Sequence, residues 1–243
     1  MAPRVASPSV DYDHSENVHT LSGAAAALAS LLDGQTPGRP FPRSLLDAGC
    51  GTGTWLRAAL DLGVADVFGV DGVDVAPDRF HAPKSLYRQT DFTKPFDLGR
   101  RFDVVLCLEV AEHLPANAAE AFIASLARHG DLILFSAAIP HQPGQHHVNC
   151  QWPAYWQALF NRAGYACEDS LRWRIWRDTR IEPWYRQNVF RARRDASAGT
   201  EPRIEAVVHP DMWPHMDHGA ARPPIRALLH KVANLARASA GQQ

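Results

Sequence analysis

Apolar and polar positions along this chain recur with two periods, one helical and one of short continuous runs. Leu21, Ala25, Leu28 and Leu32 share one face of a helix predicted over 15–32, which Gly34 closes. Gly34, Pro37, Gly38, Pro40 and Pro42 then break the chain into a linker. Beyond it, apolar runs at 44–48, 66–70, 86–90, 102–108 and 131–137 predict strands. Amphipathic stretches at 54–62, 116–128 and 152–163 predict helices, the last ended by Gly164. The segment 73–83 carries Pro77 and Pro83, so any helix there is short. The run at 102–108, FDVVLCL, does not alternate, as expected for a strand covered on both faces. Runs at 165–176 and 184–191 predict the last two strands. Strand and helix in turn predict an α/β fold, a doubly wound and mostly parallel sheet.

After residue 192 the pattern weakens into Pro, His, Gly and charge, then recovers at 224–238. There Ile225, Leu228, Leu229, Val232 and Leu235 line one side of a predicted helix whose charges, Arg226, Lys231 and Arg237, are all basic. Such a helix docks on its own domain or, alternatively, on a membrane surface or partner. The organisation is therefore a helical lead-in at 1–42, a central domain at 43–192 and a C-terminal extension at 193–243. No internal repeat is present.

Composition narrows the function. The 243 residues are 46% hydrophobic, enough for a packed core, which excludes a mainly disordered chain. Lys+Arg is 25 against Asp+Glu 26, so no global basic field exists and nucleic acid is not expected as a partner. Cys50, Cys107, Cys150 and Cys167 lie far apart, with the spacing of neither a disulfide framework nor a zinc knuckle. The longest apolar run, 23–32, falls well short of the ~20 residues that span a bilayer. A soluble, cytoplasmic protein is expected, and nothing in the sequence specifies an oligomeric state.

The strongest chemical signal is Leu45-Leu46-Asp47-Ala48-Gly49-Cys50-Gly51-Thr52-Gly53-Thr54-Trp55, a buried strand that runs through three glycines into a helix. Glycines there let a ligand approach the backbone, and the helix start offers free N–H groups. Neither glycine register completes the G-x-G-x-x-G of a dinucleotide site, which disfavours a nicotinamide oxidoreductase. Asp47 would repel a pyrophosphate and suits an ammonium group.

This segment resembles the glycine motif of class I S-adenosylmethionine-dependent methyltransferases. Asp71 closes the second strand, Asp91-Phe92 the third, and Glu109-Val110-Ala111-Glu112-His113-Leu114-Pro115 follows the fourth, all similar to that family. The resemblance implies a Rossmann-like sheet of seven strands with helical additions at both ends, and S-adenosylmethionine as cofactor. It implies that Asp47, Gly49, Cys50, Gly51 and Gly53 line the methionine end and that Asp71 takes the ribose. Asp91 and Phe92 would hold the adenine, and Leu108 and Glu109 would sit near the methyl-bearing sulfur. The proline-broken segment after Asp71 departs from the family's usual helix.

Candidate groups for the methyl acceptor lie in two loops, at His113 and at Pro140-His141-Gln142-Pro143-Gly144-Gln145-His146-His147-Val148-Asn149. A hydroxyl acceptor must lose a proton as it attacks, which suits a histidine. The second loop resembles a segment of methyltransferases from bacterial polysaccharide and natural-product pathways, in which the His and Asn of H-V-N recur. That resemblance points to His147 as base or orienting group and Asn149 as its hydrogen-bonding companion, with His113 bracing the loop or touching the acceptor. Imidazoles suit zinc or iron, but the loop carries no carboxylate beside His141, His146 and His147, so no metal is assigned. Trp152, Trp156, Trp173, Trp176 and Trp184 could pack the core or floor a sugar site. Arg172, Arg174, Arg177 and Arg180 fit a solvated strand face. The function expected is O-methylation of a sugar or glycosylated metabolite. N- or C-methylation of another small molecule, or a noncatalytic cofactor-binding role, are the alternatives.

Overall fold

Seven strands meet in one sheet: β1 (Ser44–Ala48), β2 (Asp66–Asp71), β3 (Tyr87–Gln89), β4 (Val104–Leu108), β5 (Leu132–Ser136), β6 (Tyr165–Glu168) and β7 (Phe190–Arg194). The computed structural model that shows them describes residues 12–14, 20–35 and 38–217; the helix predicted at 224–238 lies outside these. Their order is β3-β2-β1-β4-β5-β7-β6. The first five strands run parallel, while β7 is antiparallel to both β5 and β6.

Because side chains alternate across a strand, the central strands divide their residues between two cores. Leu46, Val105, Cys107, Ile133 and Phe135 pack on one face with Phe122 and Leu126 of α3 (Ala119–His129) and Trp156 and Phe160 of α4 (Pro153–Arg162). Leu45, Val104, Leu106 and Leu134 pack on the other, against Leu28 and Leu31 of α1 (Leu21–Leu32) and Leu56 of α2 (Thr54–Asp61). Every residue of β4 and β5 is buried, which explains the continuous apolar runs.

The helix predicted from residue 15 starts at Leu21, because Thr20 takes extended backbone and caps it: its Oγ1 accepts the Gly23 N–H at 2.9 Å. The last third of the chain departs further from the pattern. Of the strand predicted at 165–176 only β6 forms, and Ser170–Ile175 is helix α5. Leu171 and Ile175, spaced i and i+4, are fully buried while Trp173 between them is half exposed. The strand predicted at 184–191 is helix α6 (Pro183–Asn188) followed by β7. Pro183 opens α6, where its fixed φ suits the first turn and its missing N–H is not needed.

Of the arginines expected on a solvated strand face, Arg174, Arg177 and Arg180 are exposed as expected, though on a helix and the turn after it, and Arg172 is not. Arg172 is fully buried, donating Nη1 to the Glu205 carbonyl at 3.2 Å and facing Asp169 at 3.6 Å. Arg174 donates to the Ser30 and Asp33 carbonyls at the carboxyl end of α1, where free carbonyls and the helix dipole favour a cation. Arg180 pairs with Asp178 at 2.6 Å. Among the described residues no helix is long and apolar enough to cross a membrane.

Candidate active site

Asp47 sits in the central strand, opposite Gly69 of β2 and Leu106 of β4. It is 2% exposed, and its Oδ2 has no hydrogen-bond partner among the described residues. Burial, and then the charge of Asp71, push its pKa up to about 8. Directly after it the chain turns through Gly49, Gly51 and Gly53 at φ +97, +49 and +77. Gly49 and Cys50 donate their N–H groups to the Val70 carbonyl at 2.8 and 3.1 Å. A Cβ on Gly49 would overlap Val110, so glycine is required there by both backbone and neighbour. Cys50 packs beneath the turn, its sulfur against Gly69. Gly53, in left-handed backbone, leads into α2, whose first residues Thr54, Trp55 and Leu56 are buried.

Asp71, at the end of β2, is bound on both oxygens: Oδ2 accepts the Gly51 N–H at 2.8 Å and Oδ1 the Val73 N–H at 2.9 Å. Burial raises its pKa, opposed by the nearby His14 and these N–H groups. One strand out, Asp91 accepts from the Thr93 N–H at 3.0 Å and hydroxyl at 2.6 Å and pairs with Lys94 at 3.0 Å. Burial works to raise its pKa, and the Thr93 and Lys94 contacts outweigh it, leaving the group below the usual range. The Phe92 ring turns inward onto Phe96 and Phe122, 5.5 and 5.1 Å between centroids. Any adenine contact from that position falls to its backbone.

Leu108 ends β4 and is buried, and Glu109 after it takes left-handed backbone at φ +55. The Glu109 N–H donates to the Ser136 carbonyl and hydroxyl, 3.0 and 3.1 Å. Its carboxylate accepts from Asn188 Nδ2 at 3.0 Å and Gln142 Nε2 at 2.8 Å, and Gln142 is held in turn by Gln187 at 3.2 Å. Burial raises the Glu109 pKa against these bonds. Gln142, Gln187 and Asn188 were not legible as site residues, because two segments distant in sequence, the loop after β5 and α6, bring them together around one carboxylate.

The loop after β5 docks on the turn after β4: Val148 and Asn149 donate their N–H groups to the Glu112 carbonyl at 2.9 and 3.0 Å. This brings the His147 ring edge-on to His113, with 5.0 Å between centroids. His147 Nδ1 lies 3.0 Å from the Gln142 carbonyl, so that nitrogen carries the proton and Nε2 the lone pair. Burial lowers both histidines, and the His147 charge helps to take His113 down to about 4. Asn149 is 3% exposed and accepts from Gln151 at 3.1 Å, so it braces the loop from within. His141 and His146 are exposed. The tryptophans do not form one floor: Trp156 is in the core, and Trp173 of α5 meets Trp176, just past its end, at a tilt with 4.8 Å between centroids.

Residues 12–14, within the predicted lead-in, lie across this opening. His14 faces Asp71 at 3.8 Å, and the Tyr12 ring contacts both His14 and His113, at 4.9 and 5.1 Å. Asp13 and Gln145 exchange hydrogen bonds of 3.1 and 3.0 Å. Nothing in the hydrophobic pattern marked this segment.

A glycine turn, an acid inside it and acids at successive strand ends are the parts of a known donor site, and the family model described as a methyltransferase domain matches residues 16–187. The chain belongs to the methyltransferase family. A methyltransferase of this fold uses S-adenosylmethionine, and the residues fit it: Asp47 Oδ2 stands buried without a hydrogen-bond partner among the described residues, directly before a turn of three left-handed glycines. The chain is 37% identical over 93 residues to a ubiquinone biosynthesis O-methyltransferase of Methylobacterium nodulans, covering 33% of this chain and 36% of that protein. It is 33% identical over 105 residues to a ribosomal protein L11 methyltransferase of Laribacter hongkongensis, covering 41% and 34%. The methyltransferase thus spans about a third of the length of each curated relative. Among solved structures it is similar to the sugar N-methyltransferase KedS8 of Streptoalloteichus, with TM-score 0.56, 19% identity and coverage of 80% and 99%. DesVI of Streptomyces venezuelae gives 0.53, 20%, and 72% and 92%. These two show the fold: a seven-stranded, mostly parallel Rossmann-like sheet, as the sequence resemblance implied.

Proposed function

We propose that this methyltransferase transfers the methyl group of S-adenosylmethionine to a hydroxyl of a sugar or glycosylated small molecule. When bound, the cofactor supplies an electrophilic methyl on a sulfonium, open to in-line displacement. The chain's own residues hold and align the two partners. Asp47 receives the ammonium, the turn at Gly49, Gly51 and Gly53 the methionine backbone, Asp71 the ribose hydroxyls and Asp91 the adenine. Glu109, fixed by Asn188 and Gln142, sets the wall between donor and acceptor.

One observation carries the acceptor reading: His147, its Nδ1 committed to the Gln142 carbonyl, keeps a lone pair on Nε2 beside His113. A hydroxyl needs such a group, and an amine that is already neutral does not. A second reading, N-methylation of an amino sugar, has support in the names of KedS8 and of CalS10, described as an amino pentose methyltransferase. Transfer of labelled methyl to a panel of nucleotide sugars, glycosides, amino sugars and RNA separates these. Label in a sugar hydroxyl, falling roughly 10²–10⁴-fold in His147→Ala, supports the proposal. Label on a sugar nitrogen with His147→Ala near normal moves the acceptor atom, and label confined to RNA overturns the small-molecule reading.

A further inference from the structure

Behind the two histidines lies a third group that methyl transfer as described does not use. Glu112 is fully buried against the Glu109 carboxyl, and its oxygens meet no cationic side chain among the described residues. A buried carboxylate left so costs several kcal/mol unless it is neutralised or meets a cation. The His113 ring is likewise buried, facing His147 and the backbone of Gln145 and His146. One donor atom from each of Glu112, His113 and His147 lies within 4.8 Å of the others.

The surroundings hold this set in place. His147 meets the Gln142 carbonyl through Nδ1, the contact by which a metal-bound imidazole is usually oriented from behind. The Glu112 carbonyl accepts the N–H groups of Val148 and Asn149, which fixes the loop bearing His147 to the turn bearing the other two. His146, directly before His147, holds left-handed backbone at φ +51, a conformation that costs a non-glycine residue energy and is kept where neighbours impose it. A Cβ on Gly144 would overlap the His147 ring, so the loop leaves room for that ring and nothing more.

We propose that Glu112, His113 and His147 bind a divalent transition-metal ion, and that the open positions of this ion take hydroxyl oxygens of the acceptor. Two imidazoles and one carboxylate suit zinc, manganese, iron(II) or cobalt better than magnesium or calcium, which prefer oxygen donors. Three protein ligands leave coordination sites free, as in metal centres that engage substrate. A coordinated hydroxyl is polarised and gives up its proton to solvent water as its oxygen attacks the methyl group; His147, its Nε2 lone pair then on the ion, acts on the acceptor through the ion rather than by taking the proton itself. The second half of the proposal rests on the hydroxyl reading above; the first half does not.

Cobalt(II) alone is the probe. The full chain, stripped with a chelator, is titrated with it and followed by calorimetry and by the visible absorption of the ion. One ion per chain is expected, with nitrogen-ligated absorption. His113→Ala and His147→Ala each weaken it at least 10–100-fold, the loss seen when even supporting residues of metal sites are removed. Gly144→Ala, which removes no donor, also weakens it, whereas His141→Ala does not. Binding at other than one ion per chain, or unchanged in His147→Ala, overturns the site. Glu112→Gln adds a check that does not depend on histidine: it must lose the ion while keeping circular dichroism and cofactor affinity, and retention of the ion removes Glu112. Cofactor affinity and methyl transfer are measured separately, with and without cobalt. Ion binding without transfer to any hydroxyl leaves the site standing and overturns the acceptor reading, and transfer undiminished by chelator overturns the link between ion and acceptor.

Discussion

If Asp47 receives the ammonium of the cofactor, as proposed, a pKa raised to about 8 means that binding at pH 7 strips a proton from it. With a pKa pushed up to about 8 by burial and by Asp71, the group is 1/(1+10^(7−8)), or about 0.9, protonated at pH 7. An ammonium brought within ~4–6 Å lowers a carboxyl pKa by about 1–3 units, here to between ~5 and ~7. The protonated fraction then falls to between about 0.01 and 0.5, so binding releases about 0.4–0.9 of a proton from this residue. The amine of the cofactor, with a reference pKa of ~7.7–8.0, takes up about 0.1–0.2 in return. Isothermal titration in phosphate, HEPES and Tris measures the sum, as the slope of apparent enthalpy against buffer ionisation enthalpy. Asp47→Asn keeps the uptake and loses the release, so the difference between the two slopes isolates Asp47. Because Asp47 must first lose its proton, the same shift predicts that at pH 7 Asp47→Asn binds the cofactor only roughly 2- to 90-fold more weakly, approaching about 10- to 10³-fold above pH 9. At pH 9.5 the wild-type release should vanish, because Asp47 is ionised beforehand. Equal slopes for the two proteins at pH 7 would refute the placement of the ammonium at Asp47.

Other residues give independent tests. Asp71→Asn should weaken cofactor binding by about 1–3 kcal/mol with the fold retained; unchanged calorimetric affinity removes Asp71 from the site. Gly49→Ala must accept φ +97 and an overlap with Val110, at a cost of ~2–5 kcal/mol from left-handed backbone and overpacking. A Tm within a degree of wild type would show that the turn rearranges freely. Glu201 joins the C-terminal segment to β6: burial works to raise its pKa, but bonds from the Cys167 N–H and the Asn161 and Gln157 amides hold it at about 2. Its pKa is depressed on folding, so its contribution is complete above the usual carboxylate range and disappears as pH falls towards 2. Glu201→Gln should therefore lower Tm at pH 7, by ~2–4 °C per kcal/mol lost, and match wild type near pH 2. A Tm difference that persists at pH 2 would assign Glu201 a role other than its charge.

Much of the fold was legible because it depends on local properties. Burial on both faces wrote continuous apolar runs into β4 and β5, and the left-handed turn after β1 wrote its glycines, since no other residue fits φ +97 against Val110. The acids at the ends of β1 and β2 were visible for the same reason, being polar groups where an apolar run stops. The helices α5 and α6 were not, because Leu171 and Ile175 lie among alternating arginines and tryptophans that imitate a strand. Only the packed molecule shows that Arg172 is buried and that Arg174 serves the end of α1. The acceptor side divides in the same way. His113 and His147 could be named from sequence, but not that the Glu112 carbonyl draws their loops together, nor that Glu112 stands with them, nor that Tyr12 and His14 reach across the opening. The sequence by itself determined the five parallel strands and the glycine turn, because periodicity and backbone strain act between near neighbours along the chain. Tertiary structure alone decided how the acceptor side is assembled, because its residues come from segments with no fixed spacing and meet only where loop hydrogen bonds close.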